Sequence, residues 1–356
     1  MQTEQKTDTK KIEKARVEYR SPSNIALVKY WGKMGLQLPM NPSISFTLSQ
    51  CATTTSVEFE LAEAFSFAFF FEGEAKPDFH PKLSKFFDRI EREFPPIRNY
   101  KLTIRSSNSF PHSSGIASSA SAFSALALCI ADFEKQYLGE GYPLNFQERA
   151  SHWARLGSGS ACRSVFGGVA MWGYSPEFDQ SSDKFAVQVD DIHPVFKDYQ
   201  DTVLLVDKGE KTISSTVGHD LMNGHPYTSA RIAQAHDNLV KIVPILRNGN
   251  LEEFVKLVEN EALSLHAMML TSDPGYFLIK ANTLKIIGAI RGFREQNGIS
   301  LCFTLDAGAN VHVLYPAKDK KEVLGFIESD VLAYCQNGEY ICDEVGKGPQ
   351  NMSDKA

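Results

Sequence analysis

Pro111-His112-Ser113-Ser114-Gly115-Ile116-Ala117-Ser118-Ser119-Ala120 decides how the chain is read. A strand-like run, Tyr100-Lys101-Leu102-Thr103-Ile104, leads into it through a polar turn at 106–109. Ala120-Ser121-Ala122-Phe123-Ser124-Ala125-Leu126-Ala127-Leu128 leaves it with the small-residue pattern of a buried helix. A Gly- and Ser-rich loop thus sits on a helix N-terminus. The first backbone N–H groups of a helix have no internal partner, and the aligned peptide dipoles add about half a positive charge there. Phosphate suits such a site. Gly115 lets the backbone approach a bulky anion, and Ser118 and Ser119 offer hydroxyls to a phosphate oxygen or a Mg²⁺. The competing reading is an ordinary core helix behind a Ser/Gly turn. No lysine follows the second half of the loop, which sets it apart from the P-loop that ends in Gly-Lys-Ser/Thr.

A chain of 356 residues suggests two domains. It can bury roughly three quarters of its unfolded surface and needs no covalent staples. The net charge of −6 mixes both signs, which argues against nucleic acid or an anionic membrane as the main partner. None of the six cysteines forms a Cys-x-x-Cys pair, so they read as free thiols in a reducing cytosol. No apolar run reaches the roughly 18 residues of a membrane span. Residues 1–14 are polar, lack the apolar stretch of a signal peptide and read as a frayed tail. The nine histidines show no metal-ligand spacing, which argues against a zinc site.

Arg16-Val17-Glu18-Tyr19-Arg20 alternates and reads as a first strand. Behind it, Ser21-Pro22-Ser23-Asn24-Ile25-Ala26-Leu27-Val28-Lys29-Tyr30-Trp31-Gly32-Lys33 gathers an amide, two lysines and two large aromatics. Lys29 and Lys33 flank Tyr30-Trp31, which suits a wall for a multiply charged anion; a surface hairpin with solvated lysines is the other reading. Residues 44–50, 53–60 and 66–71 are rich in β-branched and aromatic types at strand length. The phenylalanines of 66–71 fall on both faces, which predicts burial on both sides. Over 81–94, Leu83, Phe86, Phe87, Ile90 and Phe94 recur at helical spacing and read as core. A helix over 144–156 has Asn145 as its N-cap, with Glu148 at capping-box distance.

Gly157-Ser158-Gly159-Ser160-Ala161-Cys162-Arg163-Ser164 is the second dense motif. It frees the backbone, supplies hydroxyls and ends on an arginine, whose planar fork binds phosphate or carboxylate. A flexible turn with a surface arginine is the alternative. Strands follow at 165–172 and 202–206, and the domain change is placed near the latter. Residues 211–216 read as a Ser/Thr-rich loop, and 229–246, 251–270 and 276–296 as long helices in which His236 and His266 are satisfied core or groove residues. A strand over 299–305 ends in Asp306-Ala307-Gly308-Ala309-Asn310. A carboxylate there either caps the turn or projects into a cleft. Residues 311–315 form the next strand, 320–332 a final helix and 344–356 a polar, mobile tail.

Four stretches, 24–33, 111–120, 157–164 and 306–310, occur in an order that resembles the mevalonate diphosphate decarboxylases of the GHMP kinase superfamily. Lys-Tyr-Trp-Gly-Lys and Gly-Ser-Gly-Ser-Ala-Cys-Arg-Ser are specific to that family, the phosphate loop is common to all GHMP kinases, and the likeness spans 16–332. The resemblance implies an α+β, two-domain GHMP-kinase-like fold with its active site in the interdomain cleft. An N-terminal domain like domain 2 of ribosomal protein S5 would occupy 16–200 and an α/β C-terminal domain 201–343, with polar tails at 1–15 and 344–356. It implies a cytoplasmic homodimer that decarboxylates (R)-5-diphosphomevalonate with ATP and Mg²⁺, giving isopentenyl diphosphate, ADP, phosphate and CO₂. A mevalonate 3-kinase, a phosphomevalonate decarboxylase and a non-catalytic nucleotide-binding protein on the same scaffold are the alternatives.

Carried over by position, Asp306 is the catalytic carboxylate and Lys29 neutralises charge beside it. Asn24, Tyr30, Trp31, Gly32, Lys33, Ser158, Gly159, Ser160, Ala161, Cys162, Arg163 and Thr216 would hold the substrate. Ser106, Asn108, Pro111, Ser114, Gly115, Ala117, Ser118 and Ser119 would hold ATP, with Ser118 and Ser119 at the Mg²⁺. The sequence departs from the family pattern at several points. His112-Ser113-Ser114 replaces Thr-Ala-Ala, and Ala309 replaces a proline. An arginine expected after the Phe-rich strand is missing, with Lys82 as its stand-in, and 217–229 is longer than usual.

Overall fold

The computed structural model of the protein describes residues 11–111, 116–142, 145–207, 209 and 215–353. Two long strands carry its first half. β1 (Lys14–Val28) continues well past Arg20, and after the short β2 (Lys33–Met34) and β3 (Leu38–Pro39), β4 (Ser43–Leu61) spans what read as two strands. β5 (Ser66–Phe71) and β6 (Glu74–Ala75) precede α1 (His80–Ile90). β7 (Tyr100–Asn108), α2 (Ser118–Leu138), α3 (Phe146–Gly157), β8 (Val169–Trp172) and β9 (Ala186–Gln188) follow. The second half holds β10 (Gln200–Leu204), the short α4 (Ser215–Asp220), α5 (Thr228–Asn248), α6 (Leu251–Leu270) and α7 (Ala281–Asn297). β11 (Cys302–Thr304), β12 (Val311–Tyr315), α8 (Lys320–Phe326), β13 (Tyr340–Glu344) and β14 (Gln350–Asn351) complete it.

The expected α+β architecture is present. One sheet runs β14-β1-β4-β7-β5-β6, with β8 and β9 attached along the Ser43 end of β4; the other runs β11-β12-β10-β13. α2 lies on the first sheet. Its Ala120, Ala125, Ala127 and Ala131 are fully buried, so small side chains let the helix approach, and Phe133 stacks on Phe59 at 3.9 Å. The α1 stripe of Leu83, Phe86, Phe87 and Ile90 is buried in the same core, as is Phe94 beyond the helix. Asn145 caps α3 by accepting from the N–H groups of Gln147 and Glu148. No described helix is long and apolar enough to cross a membrane.

Three expectations are corrected. β5 is half-exposed rather than buried on both faces, because Phe70 turns outward beneath the Arg105 guanidinium. The turn placed at 106–109 is mostly strand, since β7 runs to Asn108. Of the 344–356 stretch read as a mobile tail, the described residues up to 353 are docked through their backbone. Val345 bridges Leu48, the Gly346 N–H donates to the Thr47 carbonyl at 2.8 Å, and β14 pairs with Tyr19 and Arg20 of β1. A side chain at 346 would meet the Leu48 carbonyl, so glycine is required there.

The junction between the halves has a chemical cause. Between Pro22 and Asn24 the β1–β4 ladder shifts register, and 48–51 of β4 leave it. That break orphans backbone N–H groups which must find another acceptor. Asp343 of β13, itself buried, supplies it: its carboxylate accepts from Ser49 and Gln50 at 2.8 Å each and from Cys51 at 2.6 Å. Asp343→Ala should therefore destabilise the protein by about 3 kcal/mol, with Asp343→Asn in between, read from urea unfolding. A change within about 0.5 kcal/mol would show that the junction does not need this carboxylate.

Candidate active site

The site begins with a second irregularity in β1. Asn24 opposes Thr47 and Ala26 opposes Ser45, but Val28 opposes Ile44. The extra residue puts Val28 on the other face of the sheet, so Lys29 returns to the face of Asn24 and Ala26. A bulge re-aims a side chain in this way, whereas an unbroken alternation would place Lys29 on the opposite face. Lys29 is buried, not solvated, and its Nζ lies 3.2 Å from Oδ1 of Asp306. Asp306 follows β11 in the second half of the chain and keeps its carboxylate partly open. Burial pushes the Lys29 ammonium below the usual lysine range, and the Asp306 carboxylate opposes that shift.

The peptide of Lys29 is held as firmly as its amine. Its N–H donates to Oε2 of Glu261 at 2.8 Å, and its carbonyl accepts from Asn41 at 2.9 Å and from Arg231 at 3.2 Å. Arg231 of α5 and Glu261 of α6 form a buried fork, with distances of 2.9 and 2.6 Å, and Asn238 donates to the same carboxylate. His266, one turn beyond Glu261, donates Nε2–H to the Asp306 carbonyl oxygen at 3.1 Å. Both partners of the Lys29–Asp306 pair are thus fixed by helix α6.

Arg163 stands on the same face. It lies in the 3₁₀ turn Gly159–Val165 and is 2% exposed. Its guanidinium donates to Ser43, Ser45 and the Asn24 side-chain oxygen, while the Asn24 amide donates to the Ser160 carbonyl and the Ser164 hydroxyl. Its hydrogen-bond partners among the described residues are all neutral, and burial lowers its proton affinity. Gly159 has no side chain because the Tyr30 hydroxyl would lie 2.8 Å from its Cβ.

These groups line a cavity of about 300 Å³. Asn24, Lys29, Tyr30, Trp31, Lys33, Ala117, Ser119, Ser158, Gly159, Ser160, Arg163 and Asp306 all reach it, and so does Lys82. Among the described lining residues four cations face one carboxylate, a balance suited to a polyanion. Gly32 is not among the lining residues; its N–H donates to His219, which is. Ala161 and Cys162 do not reach the cavity; both are fully buried in the first core, where burial pushes the Cys162 thiol up to about 12. Thr216 lies in α4, but its side chain is outside the described residues. Sequence reasoning missed Ala26, Gln37, Gly157, His219, Leu265 and Ala307. Of these, Ala26 was within reach, since it shares a strand face with Asn24.

At the start of α2, Ala117 has φ +42° and ψ +42°, a left-handed conformation that L residues rarely adopt. Among the described residues no side chain caps this helix, which leaves its first N–H groups for an outside acceptor. Ser23 fixes the approach by donating to the Ile116 carbonyl at 2.7 Å. The Ser119 hydroxyl lies 3.2 Å from that of Ser158, joining this helix to the second motif, and Ser118 is half-buried beside it. Ser114 and Gly115 fall outside the described residues, and Pro111 is exposed. Ser106 and Asn108 are not brought to the cavity. Ser106 is buried against the Thr55 hydroxyl and Asn108 accepts from Thr53, so both serve the β4–β7 pairing.

Comparison with known proteins follows the same geometry. Residues 21–184 match the diphosphomevalonate decarboxylase-like N-terminal domain, and 202–355 match the mevalonate 5-diphosphate decarboxylase C-terminal domain. The diphosphomevalonate decarboxylase of Eremothecium gossypii is 31% identical over 331 residues, covering 87% of this chain and 80% of its own. That of Saccharomyces cerevisiae is 32% identical, covering 86% and 79%. The crystal structure of mevalonate diphosphate decarboxylase from Staphylococcus aureus aligns with a TM-score of 0.82 at 28% identity, over 95% of this chain and 98% of its own. MDDEF in complex with MVAPP, AMPPCP and magnesium aligns with a TM-score of 0.80 at 26% identity, over 95% and 99%. The chain belongs to the diphosphomevalonate decarboxylase family.

Proposed function

We infer that this protein uses ATP to decarboxylate (R)-5-diphosphomevalonate, forming isopentenyl diphosphate, ADP, phosphate and CO₂. The observation that carries this reading is the 3.2 Å contact between Lys29 and Asp306 on the wall of a cationic cavity. A tertiary alcohol is a weak nucleophile. Asp306 accepts or orients the proton of the 3-hydroxyl as its oxygen attacks the γ-phosphorus and ADP leaves, a role worth about 10²–10⁴-fold. The C3–O bond then breaks and phosphate departs. The electron pair of the bond to the carboxylate becomes the new double bond as CO₂ is lost. Lys29 offsets the negative charge gathered around C3, and Arg163, held by neutral partners only, keeps its charge for the substrate. Lys82 serves the anionic end in place of the expected arginine.

ATP would lie against the start of α2, with its phosphates on the free N–H groups and the hydroxyls of Ser118 and Ser119. Those hydroxyls are oxygen donors of the kind a hard cation takes, so they fit a Mg²⁺ brought in by the nucleotide, which supplies charge neutralisation between two polyanions. The reading includes domains meeting near residue 200 and a cytoplasmic homodimer, supported by likeness to the family and by six unpaired thiols.

With MgATP and 5-diphosphomevalonate, equal amounts of ADP and CO₂ are expected; ADP without CO₂ would point to the kinase alternative. Asp306→Asn should lower CO₂ release by at least about 10²-fold while nucleotide affinity stays as it is, and undiminished turnover would remove this carboxylate from the mechanism. Lys29→Met should also cost at least about 10²-fold in turnover. Because it removes a buried charge, it should leave the thermal midpoint equal or higher. A lower midpoint with normal turnover would make Lys29 structural.

A further inference from the structure

His219 lies in a segment that carried no motif, yet it lines the cavity. Its placement has a local cause. A Cβ at Gly218 would come within 2.6 Å of the Tyr276 hydroxyl and 2.7 Å of the Trp31 ring. Only glycine lets α4 lie this close to Trp31, and the next residue is thereby carried against both Tyr30 and Trp31. The imidazole centroid is 4.3 Å from that of Tyr30 and 4.5 Å from that of Trp31, tilted by 35° and 36°.

The ring's protonation is set by its neighbours. The Gly32 N–H donates to Nδ1 at 2.9 Å, so Nδ1 carries no proton and the ring proton sits on Nε2. Burial, and after it the Lys33 ammonium, pushes the imidazolium down to about 3. Protonating Nδ1 would also cost the Gly32 hydrogen bond. His219 is therefore a neutral ring with a fixed tautomer, and its Nε2–H has no partner among the described residues.

The charged groups of the cavity fall into two sets. Lys29 is answered by Asp306, and Arg163 by Asn24, Ser43 and Ser45. Lys33 stands near Lys82 and His219, where after burial its ammonium is the second cause that disfavours their charged forms, and its carboxylate contact among the described residues is Asp220 at 3.5 Å, more than half exposed. The first set is hydrogen-bonded within the fold; the second has the exposed Asp220 as its counter-charge and stands open to an anionic ligand. A substrate whose C3 lies at Asp306 and which ends in a single phosphate leaves the second set unfilled.

We propose that His219 is a specificity-determining residue: it donates Nε2–H to the distal phosphate of the substrate's diphosphate, beside Lys33 and Lys82. This rests on the functional reading above and adds the residue that tells a diphosphate from a monophosphate. A hydrogen bond to a charged oxygen in a desolvated site is worth about tenfold to a hundredfold in affinity.

His219→Phe keeps the aromatic contacts and removes the donor. It should raise KM for 5-diphosphomevalonate by about tenfold to a hundredfold, leave KM for ATP as it is, and erode the preference over 5-phosphomevalonate by the same factor. His219→Gln, which can accept from Gly32 and still donate, should recover part of the loss. Unchanged KM and selectivity in His219→Phe would overturn the proposal. So would equal losses in both variants accompanied by a changed KM for ATP, since that marks a purely structural role. A second measurement does not depend on turnover: the Nε2 resonance of His219 in ¹⁵N-histidine-labelled protein should move on addition of inorganic pyrophosphate, and a stationary resonance would refute the contact. Absence of CO₂ from the wild-type enzyme would defeat the functional reading alone, and the pyrophosphate titration would still decide the role of His219.

Discussion

A lysine taken out of water must be given a counter-charge, and here the counter-charge comes from the other half of the chain. Lys29 follows the first strand, Asp306 follows a strand almost three hundred residues later, and their 3.2 Å contact exists only when the two halves are docked. Burying an ammonium costs several kcal/mol, which one partly open carboxylate does not fully offset. The rest of the interface holds the pair together. The Arg231–Glu261 fork grips the peptide of Lys29, His266 grips that of Asp306, and Asp343 satisfies the N–H groups freed where β4 leaves its ladder. Stability given up at the site is recovered in the buried hydrogen bonds around it.

The same arrangement addresses a problem of charge. The proposed reaction brings a nucleotide triphosphate and a diphosphate ester into one cleft, and the two repel each other. The structure meets them with different devices. On the proposed reading the nucleotide faces the start of α2, where no described side chain caps the helix, and a pair of hydroxyls, while the substrate faces side-chain cations. These cations are themselves unequal. Lys29 and Arg163 are buried and held by hydrogen bonds, suited to the carbon where bonds change, whereas Lys33 and Lys82 lie nearer the open side, with the exposed Asp220 beside Lys33, suited to holding an anionic tail. Fixed dipoles and cations of this kind lower a barrier because they need not reorganise as charge moves.

What was legible in the sequence was local. The α1 stripe and the Asn145 cap obey rules that act over a few residues, and the structure places them as read; of the second Ser/Gly motif it brings Ser158, Gly159, Ser160 and Arg163 to the cavity. What depended on pairing between distant segments was hidden. β1 showed no alternation past Arg20 because Ser21–Val28 is buried on both faces. The segment after β13 looked like a tail because its attachment is backbone to backbone, which composition does not record. Ser106, given to the nucleotide by the family resemblance, has its hydroxyl 3.0 Å from that of Thr55, a pairing across strands that the sequence does not record. Lys82 came into view only through the family resemblance, and His219 not at all, since its role depends on Gly218 meeting Trp31 across the cavity.

The most direct test of the account is a kinetic double-mutant cycle on the cross-domain pair. Single-turnover CO₂ release would be measured for the wild type, Lys29→Met, Asp306→Asn and the double variant. If the two side chains act as one unit, the double variant is no slower than the slower single variant, because each substitution already disables the pair. Losses that multiply would show that Lys29 and Asp306 act independently, and would contradict the claim that their contact organises the site.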